Sequence, residues 1–478
     1  MVFRRFGEVP GVVGTHHDFA RGLYMLRPDA EPDLTGVSLY EVQDISLLPE
    51  RGELLLGFEI DSPTAGSGHD LYVLHMIGWV VGRDSAAVSV EIVHNDRVIR
   101  TVPVRGQRAD LAADAGFPPE TDCVFHALVG LLGLGLEPGL SLVVVLEDGS
   151  RAPVGSIALR RQALVAEYVP RIPPLVVTTL GRSGSTWLLQ MLASHPQVVV
   201  FRRFPYESTP AKYWLHALRV LCEPVNFVES QQPDTFDDPW WVGNNPYHDD
   251  RVYEQDRLSD WFARSHVESL ASSTKQTIDD WYTTLATVQA QSDVSYFAEK
   301  HVWPTYLPDL IWELYPRTKE IFLVRDFRDM AHSILAFDAQ RGYAGFGRPD
   351  GSSDEEYMRG EMRRMVDDLH RAWVARRDRA HLVRYEDLVL EPRETLTSML
   401  GYLGLDSGPE TVDQVLAHGA EQVLTLPGFS YEPSEIASHR TQEDLKATIG
   451  RWRSEGSESF RTLAEEVFGE ALREFGYA

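Results

Sequence analysis

Cysteine is nearly absent from this chain: 478 residues carry two, Cys123 and Cys222. Two isolated thiols exclude a disulfide framework and a cysteine-based zinc cluster, and each reads as a small buried hydrophobe. No run of about 18 apolar residues occurs, so no membrane-spanning helix is expected. Cations are in deficit: 45 Lys and Arg stand against 71 Asp and Glu, a formal charge of -26. A surface of that sign repels nucleic acid and anionic membrane, so neither is expected as a partner. Any anion site must then be a local concentration of positive charge. The opening MVFRRFGEVPG has arginines but no apolar stretch behind them, so it does not read as a secretion signal, and the expected location is cytoplasmic. Internal repeats and long low-complexity tracts are also lacking.

What is present is an ordinary globular composition, 43% apolar, over a length that suits two or three domains. Residues 1–168 look β-rich. Strand-like runs lie at 53–60, 71–81, 86–94 and 98–104, and runs at 140–146 and 154–159 flank the hairpin signal Asp148-Gly149. Short strands with few helical patterns predict a β-sandwich-like accessory domain. It carries no motif; a glycan-binding, partner-recruiting or homodimer-forming role rests on architecture alone. Prolines 170, 173 and 174 mark a hinge. From residue 172 to 478 the pattern becomes α/β, with a helical insertion at about 209–294 rich in Trp, Tyr and Asp, the expected acceptor side.

The second domain opens with LVVTTLGRSGSTWLLQML, residues 175–192. A β-branched apolar run predicts a buried parallel strand, and Trp187, Leu188, Met191 and Leu192 recur at helical spacing. Strand, glycine turn and helix start form a phosphate cradle. Gly181 and Gly184 let the backbone approach a ligand, and N–H groups at the helix start point at it. Arg182 adds charge; Ser183, Ser185 and Thr186 add hydroxyls. The lysine of a nucleotide-triphosphatase loop is missing, so the cradle suits a phosphate group without an obligatory metal. The fold expected is α/β, a P-loop-like parallel sheet flanked by helices.

Further along, a short strand at 198–201 leads into Arg202-Arg203-Phe204-Pro205-Tyr206-Glu207. Strand carboxyl ends are where parallel sheets place ligand groups, so Glu207 is a candidate to approach the cradle. A third strand, 296–298, is expected to end in Glu299-Lys300-His301. The run 320–324 enters Arg325-Asp326-Phe327-Arg328-Asp329-Met330-Ala331-His332-Ser333, where an arginine at a strand end and a serine eight residues on can close on one phosphate. A glycine-rich loop follows at 339–353, then a capping-box pattern, Ser353 with Glu356, and a long amphipathic helix. Tyr385-Glu386-Asp387 follows a strand at 381–384. Gly450-Arg451-Trp452-Arg453 joins a free backbone, two charges and a flat ring.

Together these strings resemble sulfotransferases that use 3′-phosphoadenosine 5′-phosphosulfate (PAPS). GRSGSTWL at 181–188 is similar to the family's 5′-phosphosulfate loop, and RDFRDMAHS at 325–333 to its 3′-phosphate motif, with Phe327 replacing the usual proline. AEKHVWP at 298–304 imperfectly resembles two versions of a third segment, and the Tyr385 and Gly450–Arg453 strings resemble donor-closing elements. The resemblance implies PAPS as donor, no required metal, and a small-molecule or glycan acceptor. It implies that Arg182, Ser183, Gly184, Ser185 and Thr186 hold the 5′-phosphosulfate and that Arg325 and Ser333 hold the 3′-phosphate. Trp187, Tyr385 and Trp452 are implied adenine neighbours, and Arg451 and Arg453 close the pocket. Lys300 and Arg182 are candidates to stabilise the leaving phosphate. The base stays open among Glu207, His301 and Glu299. Two other readings are a P-loop kinase using ATP and Mg²⁺ and a non-catalytic glycan- or nucleotide-binding protein.

Overall fold

The computed structural model describes residues 38–48, 53–203, 206–224, 257–258, 261–302, 307–342, 344–420 and 445–478. Phe204, Pro205, the Asp- and Trp-rich stretch 234–250, Trp303, Pro304 and residues 439–444 lie outside them. The chain divides into two compact units, one drawn from 1–164 and 219–270, the other from 165–218 and 271–478.

The first unit is built of antiparallel sheets. Strands β1 (Tyr40–Leu47), β3 (Gly68–His69), β5 (Ala87–His94), β6 (Arg97–Pro103), β8 (Gly139–Leu146) and β9 (Arg151–Arg161) form one sheet in the order β3-β1-β9-β8-β5-β6. Strands β2 (Leu55–Ser62), β4 (Val73–Gly82) and β7 (Val124–Gly130) form another in the order β2-β4-β7. Alternation along these strands sends one set of side chains inward: Val90, Ile92, Leu142 and Val144 from the larger sheet meet Leu74, Met76, Phe125 and Ala127 from the smaller in a single core. Strands β1, β3 and β7 match none of the runs expected from sequence. Acidic residues interrupt the apolar pattern in YEVQDISL, and β3 is only two residues long.

The second unit holds a five-stranded parallel sheet. Strands β10 (Pro174–Thr179), β11 (Val198–Val199), β12 (Tyr296–Val302), β13 (Lys319–Val324) and β14 (Ala380–Arg384) lie in the order β11-β12-β10-β13-β14. All six residues of β10 are buried, as expected of a central parallel strand covered on both faces. One face packs Leu175, Val177, Ile321 and Leu323 against helices α2 (Ser185–Leu192), α7 (Pro392–Leu403) and α8 (Pro409–Ala420). The other packs Phe322 and Val324 against α5 (Phe327–Arg341), α6 (Arg363–Arg376) and α9 (Glu458–Glu474). Helices α3 (Pro210–Leu221) and α4 (His266–Val288) fall in the expected insertion; α1 (Ala109–Ala115) belongs to the first unit. The capping box at Ser353 and Glu356 forms with both reciprocal hydrogen bonds.

Several strand boundaries differ from expectation; the strand expected at 198–201 is Val198–Val199, and β12 bears on the site. β12 continues to Val302, so Glu299, Lys300 and His301 lie within the strand rather than after it. Parallel pairing explains the extension: Val176, Val177 and Thr178 of β10 stand in register with these three residues. Among the described residues, no helix is long and apolar enough to cross a membrane.

Candidate active site

β10 ends at Thr179, and the chain turns through Arg182 and Gly184 before α2 begins at Ser185. Both turn residues are left-handed, Arg182 at φ 66° and Gly184 at φ 87°. Glycine adopts that geometry without cost; arginine does so only when its surroundings hold it. Gly184 is the N-cap of α2 and, having no side chain, supplies no acceptor of its own to the first N–H groups of the helix. The two glycines also serve a purpose that sequence reasoning missed. A Cβ on Gly184 would lie 2.5 Å from Cδ2 of Tyr385, and one on Gly181 would lie 2.5 Å from Cδ1 of Phe346. Each glycine therefore admits an aromatic ring as well as bending the backbone.

The Arg325–Ser333 segment meets this turn directly. Arg325 follows β13 and donates from Nη1 to the carbonyl of Arg182 at 3.0 Å and from Nη2 to the carbonyl of Thr448 at 2.7 Å. Its guanidinium lies 4.9 Å from the centroid of the Tyr385 ring. Arg182 Nε donates to Ser333 Oγ at 3.2 Å, and its guanidinium sits over Phe337 at 4.5 Å. The Tyr385 hydroxyl pairs with Thr448 Oγ1 at 3.0 Å, and Trp187 meets the Tyr385 ring edge-on at 6.2 Å. Arg182, Gly184, Trp187, Arg325, Ser333 and Tyr385, scattered over some 200 residues of chain, thus form one cluster. Arg325 is 6% exposed, and its Nε has no hydrogen-bond partner among the described residues. A buried, charged donor left open near the start of a helix fits an anion.

The opposite side of β10 carries the other candidates. Lys300 Nζ donates to Glu207 Oε1 at 2.6 Å. Tyr206, buried and left-handed at φ 66°, turns the chain so that Glu207 stays largely in solvent while Lys300 is buried. Burial holds the Lys300 ammonium below its usual pKa; Glu207 opposes that shift and nearby Arg182 adds to it. Strand alternation places Lys300 on one face of β12 and Glu299 and His301 on the other. On that second face Glu299 is fully buried. It accepts from Ala211 N at 2.7 Å, Lys212 N at 3.4 Å and the Tyr282 hydroxyl at 2.5 Å, and meets His301 Nε2 at 3.0 Å. Glu299 thus anchors the first turn of α3, and its hydrogen-bonding capacity is taken up by that task.

The C-terminal basic string is less available than its sequence implies. Trp452 is 7% exposed and lies between guanidinium groups, Arg328 at 4.0 Å and Arg453 at 4.9 Å from its centroid. Arg451 pairs with Glu455 at 2.6 Å. Asp329 and Thr448 were not singled out from sequence, yet they tie this string to α5: Asp329 accepts from Gly450 N and Trp452 N at 2.6 and 2.9 Å. The signal for Asp329 was its place in the RDFRD motif; nothing local marked Thr448. No cluster of metal-ligating side chains occurs among the described residues.

A family model described as "Sulfotransferase family" matches residues 173–409. Over that segment, just under half of its length, the chain is similar to the sulfotransferase family. Similar curated relatives include mouse (Mus musculus) sulfotransferase 1E1, 23% identical over 183 residues, covering 36% of this chain and 61% of the relative. Mouse sulfotransferase 2B1 is 24% identical over 169 residues, covering 33% of this chain and 48% of the relative. The chain therefore spans about half to three-fifths of the length of the curated relatives it matches. Among solved structures, the sulfotransferase domain of the Synechococcus PCC 7002 olefin synthase is 21% identical with a TM-score of 0.32, over 64% of this chain and 98% of that one. Mouse sulfotransferase SULT7A1 complexed with PAP is 12% identical with a TM-score of 0.34, over 64% of this chain and 86% of that one. Residues 1–164 of the first unit lie outside the matched segment, as do Gly450–Arg453.

Proposed function

We propose that this chain moves the sulfuryl group of PAPS to an acceptor hydroxyl on a carbohydrate or small molecule. The observation that carries the reading is the junction of two anion-binding motifs, Arg325 Nη1 on the Arg182 carbonyl at 3.0 Å and Arg182 Nε on Ser333 Oγ at 3.2 Å. Two such motifs this close suit the two phosphorylated ends of one nucleotide. In the proposal the N–H groups at the start of α2, with Arg182, Ser183, Ser185 and Thr186, bind the 5′-phosphosulfate. Arg325 and Ser333 bind the 3′-phosphate, and Trp187 and Tyr385 flank the adenine. Binding the donor draws Arg182 Nε from Ser333, freeing both groups for oxygen ligands.

PAPS supplies an activated S–O bond. The acceptor oxygen forms a new bond to sulfur while the bond from sulfur to the bridging phosphate oxygen breaks. That oxygen keeps the electron pair and leaves as 3′-phosphoadenosine 5′-phosphate (PAP), where Arg182 and Lys300 offset the new charge. The acceptor proton goes to Glu207, the only one of the three candidate bases on the same side of β12 as the glycine turn's Arg182 and Lys300. His301 and Glu299 serve instead to hold β12 and α3. Residues 172–478 form the catalytic part in this proposal, and residues 1–168 an accessory part that engages the acceptor or a second copy. Calorimetry tests the donor reading. PAP is expected to bind, and ATP with Mg²⁺ to bind far more weakly; the reverse order would replace sulfuryl transfer with phosphoryl transfer.

A further inference from the structure

Asp329 lies in the first turn of α5 and is 2% exposed, within electrostatic reach of Arg325. A carboxylate there repels a phosphate unless its charge is committed elsewhere. Both oxygens are committed: Oδ2 accepts from Gly450 N at 2.6 Å and Oδ1 from Trp452 N at 2.9 Å. These amides belong to a turn that needs Gly450 at φ 75° as N-cap of the short helix Arg451–Ser454. Two residues earlier, the Thr448 carbonyl receives Arg325 Nη2 at 2.7 Å, and Thr448 Oγ1 meets the Tyr385 hydroxyl at 3.0 Å. The Arg325 guanidinium is therefore oriented by two carbonyls, Arg182 from the glycine turn and Thr448 from the C-terminal turn. A planar fork held at two points has its remaining donors fixed in direction. The position of the Thr448 carbonyl in turn depends on what pins the 448–452 turn to α5.

We infer that Asp329 is a positioning residue for the 3′-phosphate pocket: it clamps the Gly450–Trp452 turn so that the Thr448 carbonyl sets the plane of Arg325. It does this without touching the nucleotide. The inference rests on the donor reading above, and its test separates the two. Electrostatics and positioning give opposite signs. Asp329→Asn removes a negative charge close to a bound phosphate, which by itself tightens binding. It also replaces an acceptor oxygen with an NH₂ group facing a backbone N–H, which breaks the clamp.

The test compares calorimetric affinities for PAP and adenosine 5′-monophosphate, which lacks only the 3′-phosphate, in the full chain. Wild type is expected to prefer PAP strongly. In Asp329→Asn the affinity for PAP falls about tenfold or more, the scale of a lost charge-assisted hydrogen bond, while the monophosphate changes little. Hydrogen exchange of amides 446–453 speeds up in the same variant. Gly450→Ala disturbs the turn from its other side at unchanged charge and loses the same preference, and it carries the test if Asp329→Asn does not fold. Unchanged or tighter PAP binding alongside faster exchange at 446–453 overturns the positioning role. A wild type that does not distinguish the two nucleotides overturns the donor reading itself, and the inference falls with it.

Discussion

Gly184→Ala probes the centre of the site with a magnitude that follows from two independent strains. The residue sits at φ 87°, where a side chain costs about 1–2 kcal/mol. The added Cβ would stand 2.5 Å from Cδ2 and 2.7 Å from Cε2 of Tyr385. That ring cannot swing aside freely, since Arg325 covers it at 4.9 Å and its hydroxyl is held by Thr448 at 3.0 Å. Overpacking of this kind costs about 1–3 kcal/mol. Together they destabilise the second unit by about 2–5 kcal/mol, roughly 30- to several-thousand-fold in its folding equilibrium. The assay is urea denaturation, with the transition of the second unit identified by amide exchange of β10 and β13. A double-mutant cycle with Tyr385→Ala separates the strains: removing the ring relieves the clash but not the backbone cost. The cycle should therefore show a coupling of about 1–3 kcal/mol favouring the double variant. Additive losses within about 0.5 kcal/mol would refute the claim that Gly184 makes room for Tyr385.

Glu207→Gln should lower turnover by about 10²–10⁴-fold while PAP affinity holds; full activity would move the proton-accepting role elsewhere. Glu299→Gln should do the opposite. It destabilises the second unit by about 1–3 kcal/mol, since Ala211 N, Lys212 N and Tyr282 lose a charged acceptor, and it leaves PAP binding in place. A catalytic collapse without a stability loss would contradict the anchoring role. In the first unit, burial first, then the neighbouring His126 and His69, pushes His75 down to about 4 from 6.5. The unfolded chain takes up that proton at higher pH than the folded one, so this contribution is intact above pH 6.5 and is lost as pH falls toward 4. His75→Leu should flatten that part of the stability–pH curve for the first unit, and an unchanged slope would count against the burial of His75.

Much of the architecture is local and therefore legible. The apolar runs of β10 and β13 read as buried strands because a sheet covered on both faces demands continuous hydrophobicity. The run 296–298 ended too early because Glu299, Lys300 and His301 look like a solvated strand end. They are tolerated inside the sheet because Lys300 and Glu299 find partners outside the strand, Glu207 for Lys300 and α3 and Tyr282 for Glu299, while His301 meets Glu299. Such partners outside the strand lie 17 to 93 residues away, so no local pattern predicts them.

The linear chain by itself determined which groups are present: a glycine turn between strand and helix, an arginine and a serine eight residues apart at a strand end, and a net negative charge. Composition and short-range spacing carry that information because strand, turn and helix propensities act over a few residues. Only the tertiary structure decided which groups are free to use it. It put Glu207 and Lys300 on the glycine-turn side of β12 and committed Glu299 to a helix terminus. It packed the Trp452 ring between two guanidinium groups, and it spent the charge of Asp329 on two backbone amides far along the chain. Availability depends on burial and on hydrogen-bond partners brought together by long-range packing, which no window of sequence contains.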